Sequence, residues 1–120
     1  LERFKLIRSD LEKVKEIRDE YNESFEKDVK SIHLYQIDVG KNKSEKAREL
    51  LHSKSIDTGL HYEPIYKYDI YSDSSCIANS KDKFPKSEQH VGRTITIPMH
   101  AGLTKKDITR IKNYVNELLI

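Results

Sequence analysis

The 120-residue chain has one cysteine, four glycines and no apolar run near the roughly 20 residues that a membrane-spanning helix needs. With Cys76 alone, no intrachain disulfide can form, and a cytoplasmic setting is expected. The glycines, Gly40, Gly59, Gly92 and Gly102, stand singly. No glycine-rich phosphate cradle can be built from them, and no C-x-x-C, H-E-x-x-H or G-x-S-x-G motif is present. An excess of one charge is lacking too: 22 basic residues face 20 acidic ones, for a net charge of +2. The two signs are interspersed, which speaks against the concentrated basic face of a nucleic-acid-binding protein. The charged opening residues do not read as a signal peptide.

What is present suffices for one modest domain. Hydrophobic residues make up 36% of the chain and charged ones 35%, which is polar but not poor enough in apolar residues to force disorder. A chain of this length buries about two-thirds of its unfolded surface. It opens at Leu1 rather than Met, on residues that already look like the run-in to a helix. It therefore reads as a fragment of a longer protein, with a processed or trimmed chain as the other reading.

Residues 9–25 read as a first helix. Ser9 and Glu12 have the spacing of a capping box, and Leu11, Val14, Ile17 and Tyr21 form one apolar stripe. Residues 31–39 read as an internal strand, with His33, Tyr35, Ile37 and Val39 on one face and Ile32, Leu34, Gln36 and Asp38 on the other. A second helix is expected over residues 44–53, with Ala47, Leu50 and Leu51 inward, and then a short extended segment over 56–62. The stretch from Phe84 to Thr104 reads as a short helix, a strand at Thr94-Ile95-Thr96-Ile97, a turn led by Pro98 and a helix cap. Pro98 cannot donate to a sheet ladder, so the strand stops there. Thr104 and Asp107 start a last helix whose core stripe is Ile108, Ile111, Val115 and Leu118. The fold expected is mixed α/β, α+β in arrangement, with a small sheet of about three strands packed by three helices.

The residues themselves point weakly to chemistry. Five histidines are present, but none are helical i, i+4 partners, so a zinc site is not expected. His33 on a sheet face reads as a packed histidine with one hydrogen bond. Cys76 lies in the polar run 72–83 with no base beside it in sequence and reads as an exposed thiol. The run HYEPIYKYDIY, residues 61–71, is the best local candidate for binding: tyrosines offer contact area and hydroxyls, and His61 and Lys67 could meet an anion. Aromatics that merely cover the sheet edge would produce the same run, and both readings stay open.

Three stretches in order carry a resemblance: SIHLYQIDV, IDTGLHYEPIYKYDIY and FPKSEQHVGRTITIPMHAGLTKKDITRIKNYV. Together they resemble the C-terminal small domain of the DegT/DnrJ/StrS family of sugar aminotransferases. That family has an H-L-Y strand, a helix and a G-x-x-x-x-x-Y-x-P-hydrophobic-H loop. An F/Y-P-x-A/S-E segment, an R-x-L-S-L-P strand and an L-T-x-x-D helix follow. Tyr21-Asn22 stands where its linker helix ends, and His100 where it often has His or Phe. Tyr66 departs from the pattern, since the family has His at that place, and Arg93-Thr94-Ile95-Thr96-Ile97-Pro98 is a conservative variant of its strand.

The resemblance implies that residues 1–120 are the single small domain of a fold-type I, pyridoxal-phosphate-dependent enzyme. Such enzymes aminate keto sugars, usually nucleotide-linked, in cell-surface or secondary-metabolite sugar biosynthesis, and are usually homodimers. The Schiff-base lysine, the aspartate that pairs with the pyridine nitrogen and the phosphate-binding residues belong to a large N-terminal domain outside this chain. None of the lysines here is assigned to the cofactor, so the fragment is expected to bind none and to be inactive alone. His33, His61, Tyr62 and Tyr66 are the residues implied to lie nearest the substrate. Arg93 is an anion-binding candidate with a structural role as the favoured reading. The rival reading is a stand-alone, non-catalytic α/β interaction module, with a nucleic-acid module behind it.

Overall fold

The computed structural model describes residues 2–72 and 84–120. The polar run around Cys76 lies outside the described residues. Among the described residues, five helices and two strands follow in the order α1 (Glu2–Phe25), β1 (Tyr35–Asp38), α2 (Ser44–Ser53), α3 (Asp69–Ser72), α4 (Pro85–Val91), β2 (Thr94–Ile97) and α5 (Lys105–Leu119), with a 3-10 turn at Ile65–Lys67.

The sheet has two antiparallel strands, with Tyr35 opposite Ile97, Gln36 opposite Thr96, Ile37 opposite Ile95 and Asp38 opposite Thr94. Opposite residues of an antiparallel pair share a face. Tyr35, Ile37, Ile95 and Ile97 therefore form one buried face, and Gln36, Asp38, Thr94 and Thr96 form the other. The expected third strand shrinks to one bridge, in which Gly59 and Thr96 exchange both backbone hydrogen bonds at 2.9 Å. Glycine has no side chain to add to the sheet, and the chain turns away at His61–Tyr62. β2 thus lies between β1 and Gly59, while β1, expected as internal, pairs with β2 alone among the described residues.

α1 begins well before Ser9. No glycine or proline interrupts residues 1–25, and Phe4, Ile7 and Leu11 continue the apolar stripe toward the N-terminus, so the Ser9–Glu12 pair sits inside the helix. Its two halves differ. Val14, Ile17, Tyr21 and Phe25 are buried, whereas Phe4 is 73% exposed and Ile7 51%. α2 has the expected limits, with Ala47 and Leu51 buried and Leu50 exposed. α5 also has the expected limits, and its capping box forms: Thr104 Oγ1 accepts from the Asp107 backbone N–H and Asp107 Oδ2 from the Thr104 N–H.

The core joins these stripes to the sheet, with Ile108, Ile111 and Val115 from α5 packed among them. Tyr21, Phe25 and Tyr35 form an aromatic cluster, the two tyrosine rings meeting edge-on at 5.2 Å. Neither hydroxyl is wasted. Tyr21 donates to the carbonyl of Pro98 at 2.9 Å, and Tyr35 to Asn22 Oδ1 at 2.9 Å. The first bond ties α1 to the turn that ends β2, and so fixes the wall from which His100 projects. No described helix is long and apolar enough to cross a membrane.

Candidate functional site

A cleft of about 610 Å³ opens where β1 begins, β2 ends and α5 starts. His33, His61, Thr96, His100, Asp107 and Arg110 supply its polar lining; Ile97, Met99, Leu103 and Ile111 supply apolar wall. Residues distant in sequence meet here because the sheet register brings Thr96 and residue 59 together.

His61 is the most firmly held of the three histidines. Gln36, on the outer sheet face, donates from Nε2 to the His61 carbonyl at 2.7 Å. The ring folds back over Gly59 so that Nδ1 lies 2.9 Å from Thr96 Oγ1. A Cβ at residue 59 would collide with that ring, so this close approach requires glycine. His33 precedes β1 and is exposed, its backbone N–H on Ser31 Oγ at 3.1 Å. It is therefore not the packed sheet histidine that the alternation suggested. His100 follows the Pro98 turn, and its Nδ1 accepts from the Gly102 N–H at 3.2 Å.

The charges along the cleft are mixed. Arg110 donates to the Ser55 carbonyl at 3.3 Å and lies 3.9 Å from Asp107, and Asp57 lines the same space. The hydrogen bonds from Thr104 hold the Asp107 carboxyl below the usual range. One arginine, Arg110, against the carboxylates of Asp107 and Asp57 leaves the cleft without a net positive field from these three groups. Among the described residues, no group of three or more His, Cys, Asp or Glu is arranged to hold a metal.

The other three sequence candidates lie elsewhere. Tyr62 is 65% exposed and meets the His61 ring edge-on at 4.9 Å, outside the cleft lining. Tyr66 donates to Glu88 Oε1 at 2.7 Å and stacks on Phe84 at 5.0 Å, which pins the tyrosine run to α4. Partial desolvation, followed by the bond to Glu88, raises the Tyr66 hydroxyl pKa. Lys67 sits between Glu63 at 3.2 Å and Glu88 at 3.1 Å. Desolvation pulls its ammonium down, but the two carboxylates outweigh it and the pKa rises. Arg93 pairs with Asp38 at the opposite end of the sheet from the cleft.

Sequence reasoning left Thr96, His100 and Arg110 out of the site. The signal for His100 was available, since it follows the strand-ending Pro98. Thr96 and Arg110 needed the strand register and the seating of α5, which no local pattern supplies.

The comparisons with known proteins agree with this architecture. No curated protein matches the chain. Among solved structures, Helicobacter pylori PseC, an aminotransferase involved in the biosynthesis of pseudoaminic acid, is 25% identical with a TM-score of 0.79, covering 97% of this chain and 34% of its own. S. venezuelae DesV, solved in complex with a ketimine intermediate, is 18% identical with a TM-score of 0.79, over 98% of this chain and 34% of its own. The PLP-form of Spr1654 from Streptococcus pneumoniae, a putative sugar aminotransferase by its description, is 20% identical with a TM-score of 0.76, over 94% and 33%. The chain thus spans about a third of the length of the structures it matches. With the family model matching residues 1–116, the chain belongs to the DegT/DnrJ/EryC1/StrS aminotransferase family.

Proposed function

We propose that these 120 residues are the C-terminal small domain of a pyridoxal-phosphate-dependent aminotransferase that acts on a keto sugar, nucleotide-linked, in cell-surface or secondary-metabolite sugar biosynthesis. The observation that carries the reading is the cleft that His33 and His61 both line at one end of the sheet, in a chain of this family. In this reading the cleft is one wall of the active site. His61 and His33 offer ring nitrogens to substrate oxygens, and the apolar wall excludes water. Tyr62 and Tyr66 shape the neighbouring rim, and Arg93 is structural.

The cofactor itself does not fit the residues present. Pyridoxal phosphate needs a lysine at its aldehyde carbon and an acid at its ring nitrogen. Among the described residues no lysine lines the cleft, and Lys67 is held between two carboxylates. We assign the cofactor's anchor to the large domain of a homodimeric enzyme. The uncovered stripe of Phe4, Ile7 and Leu11 on α1 suits a face that the rest of such a polypeptide covers.

The test compares the 120-residue chain with the full-length polypeptide, each given pyridoxal phosphate, glutamate and nucleotide-linked keto sugars. Amino transfer by the full-length protein alone is the expected outcome. Turnover by the 120-residue chain, or a natural gene product no longer than it, overturns the reading.

A further inference from the structure

We propose that Thr96 holds the His61 ring in its Nε2–H tautomer, so that His61 presents a hydrogen-bond donor to the cleft. Among the described residues, Thr96, 6% exposed, is the one buried polar residue besides the core tyrosines. Its backbone groups are engaged with Gly59, N–H to carbonyl in both directions at 2.9 Å. Its hydroxyl has a single hydrogen-bond partner among the described residues, His61 Nδ1 at 2.9 Å.

A hydroxyl can donate one hydrogen and accept through its lone pairs. If Nδ1 carried the ring proton, it would donate to Oγ1, and the buried hydroxyl hydrogen would have no acceptor. Leaving a buried donor unpaired is costly, whereas a free acceptor lone pair on an oxygen that already donates costs little. The arrangement that satisfies both partners has Thr96 O–H donating to a bare Nδ1. The neutral imidazole then carries its proton on Nε2. Nε2 has no partner among the described residues, and His61 lines the cleft.

Two further contacts keep the ring in this pose. Gln36 fixes the His61 carbonyl at 2.7 Å, and Gly59 leaves the room that a Cβ would fill. Thr96, Gln36 and Gly59 are thus positioning residues for His61. The chemical consequence is selective. An Nε2–H suits an oxygen acceptor such as a hydroxyl, carbonyl or phosphate oxygen, and in this form the nitrogen has no lone pair with which to take a proton. The bearing on substrate rests on reading the cleft as a ligand-facing wall; the tautomer does not.

The experiment is a long-range proton–nitrogen NMR spectrum of the histidine-labelled protein, taken where the imidazole is neutral. For His61, we expect a protonated Nε2 and a bare Nδ1. Thr96→Val removes the hydroxyl and is expected to shift the Nδ1 resonance toward that of a nitrogen accepting no hydrogen bond. Thr96→Ser is expected to restore the original position. A protonated Nδ1 in the unsubstituted protein overturns the proposal, as does an Nδ1 resonance that is the same in Thr96→Val. The spectrum of the unsubstituted protein decides the first point even if the valine variant fails to fold. Because no substrate is involved, a failed amino-transfer assay leaves the tautomer result standing, and a wrong tautomer leaves the family reading standing.

Discussion

The guanidinium of Arg93 stands 2.6 Å from the carboxylate of Asp38, at the end of the sheet away from the cleft. Asp38 also accepts from the Gly40 N–H at 2.9 Å, so its carboxylate pins both Arg93 and the turn that follows β1. The hydrogen bond from Arg93 holds the Asp38 carboxyl below its ordinary value. A depressed carboxyl contributes stability that is present above the unfolded value, about 3.9, and is lost as pH falls through the folded one. Both side chains are more than a third exposed, so solvent screens the pair. Asp38→Asn should therefore cost no more than about 1 kcal/mol at neutral pH. In urea unfolding, the gap between variant and original protein should close below about pH 4. A gap that persists in acid would mean that Asp38 acts through something other than its charge.

The tyrosine cluster gives the opposite sign. Burial pushes the Tyr35 hydroxyl up to about 12 and raises Tyr21 further, with the Glu20 charge adding to the burial effect at Tyr21. Folding thus favours the protonated phenols. Their contribution is complete below the unfolded value of about 10 and is lost as pH rises through the folded values. Circular dichroism should show stability falling above about pH 10, together with tyrosinate absorbance from the two buried rings. Tyr21→Phe should cost about 1 kcal/mol through the lost bond to the Pro98 carbonyl. Stability unchanged between pH 10 and 12 would contradict this account.

Capping was legible in the sequence, and its energy should be measurable. Thr104→Ala removes the hydroxyl that accepts from the Asp107 N–H, and should cost about 1 kcal/mol. Thr104→Ser should cost little, since serine caps equally well. Equal losses from the two variants in urea unfolding would remove the cap from the account.

What could be read in advance depended on whether the signal was local. The limits of α2 and α5 follow from stripes and caps within a few turns, and both elements formed where expected. The Ser9–Glu12 box was local too, yet the uninterrupted helix-forming run around it carried α1 to Glu2. The third strand failed at Gly59, where only a neighbour in space decides whether an extended segment becomes a strand. The cleft shows the same limit. His33 and His61 are 28 positions apart, and they line one space because the chain beside Gly59 pairs with Thr96. Thr96 itself read as half of an alternating strand, and nothing nearby marked it as the partner of a histidine.

Gly59 is where backbone and site meet. Gly59→Ala places a methyl group against the His61 ring. The ring should swing away from Thr96 and lose that hydrogen bond, while the backbone bridge to Thr96 persists. The His61 ring resonances should move, with amide protection at Thr96 retained. Unmoved ring resonances would show that the ring does not lie over Gly59.

The central claim, that this domain turns its histidine-lined cleft toward a keto sugar, is tested most directly in the full-length enzyme. The measurement is kcat/KM for the nucleotide-linked keto sugar in the original protein, in His61→Ala and in Asp38→Asn. The account expects His61→Ala to lower kcat/KM by about tenfold, the equivalent of about 1.4 kcal/mol for one lost hydrogen bond. Asp38→Asn, at the far end of the sheet, should leave it unchanged. Equal kcat/KM in His61→Ala and the original protein, or no turnover of any keto sugar by the full-length protein, would contradict it.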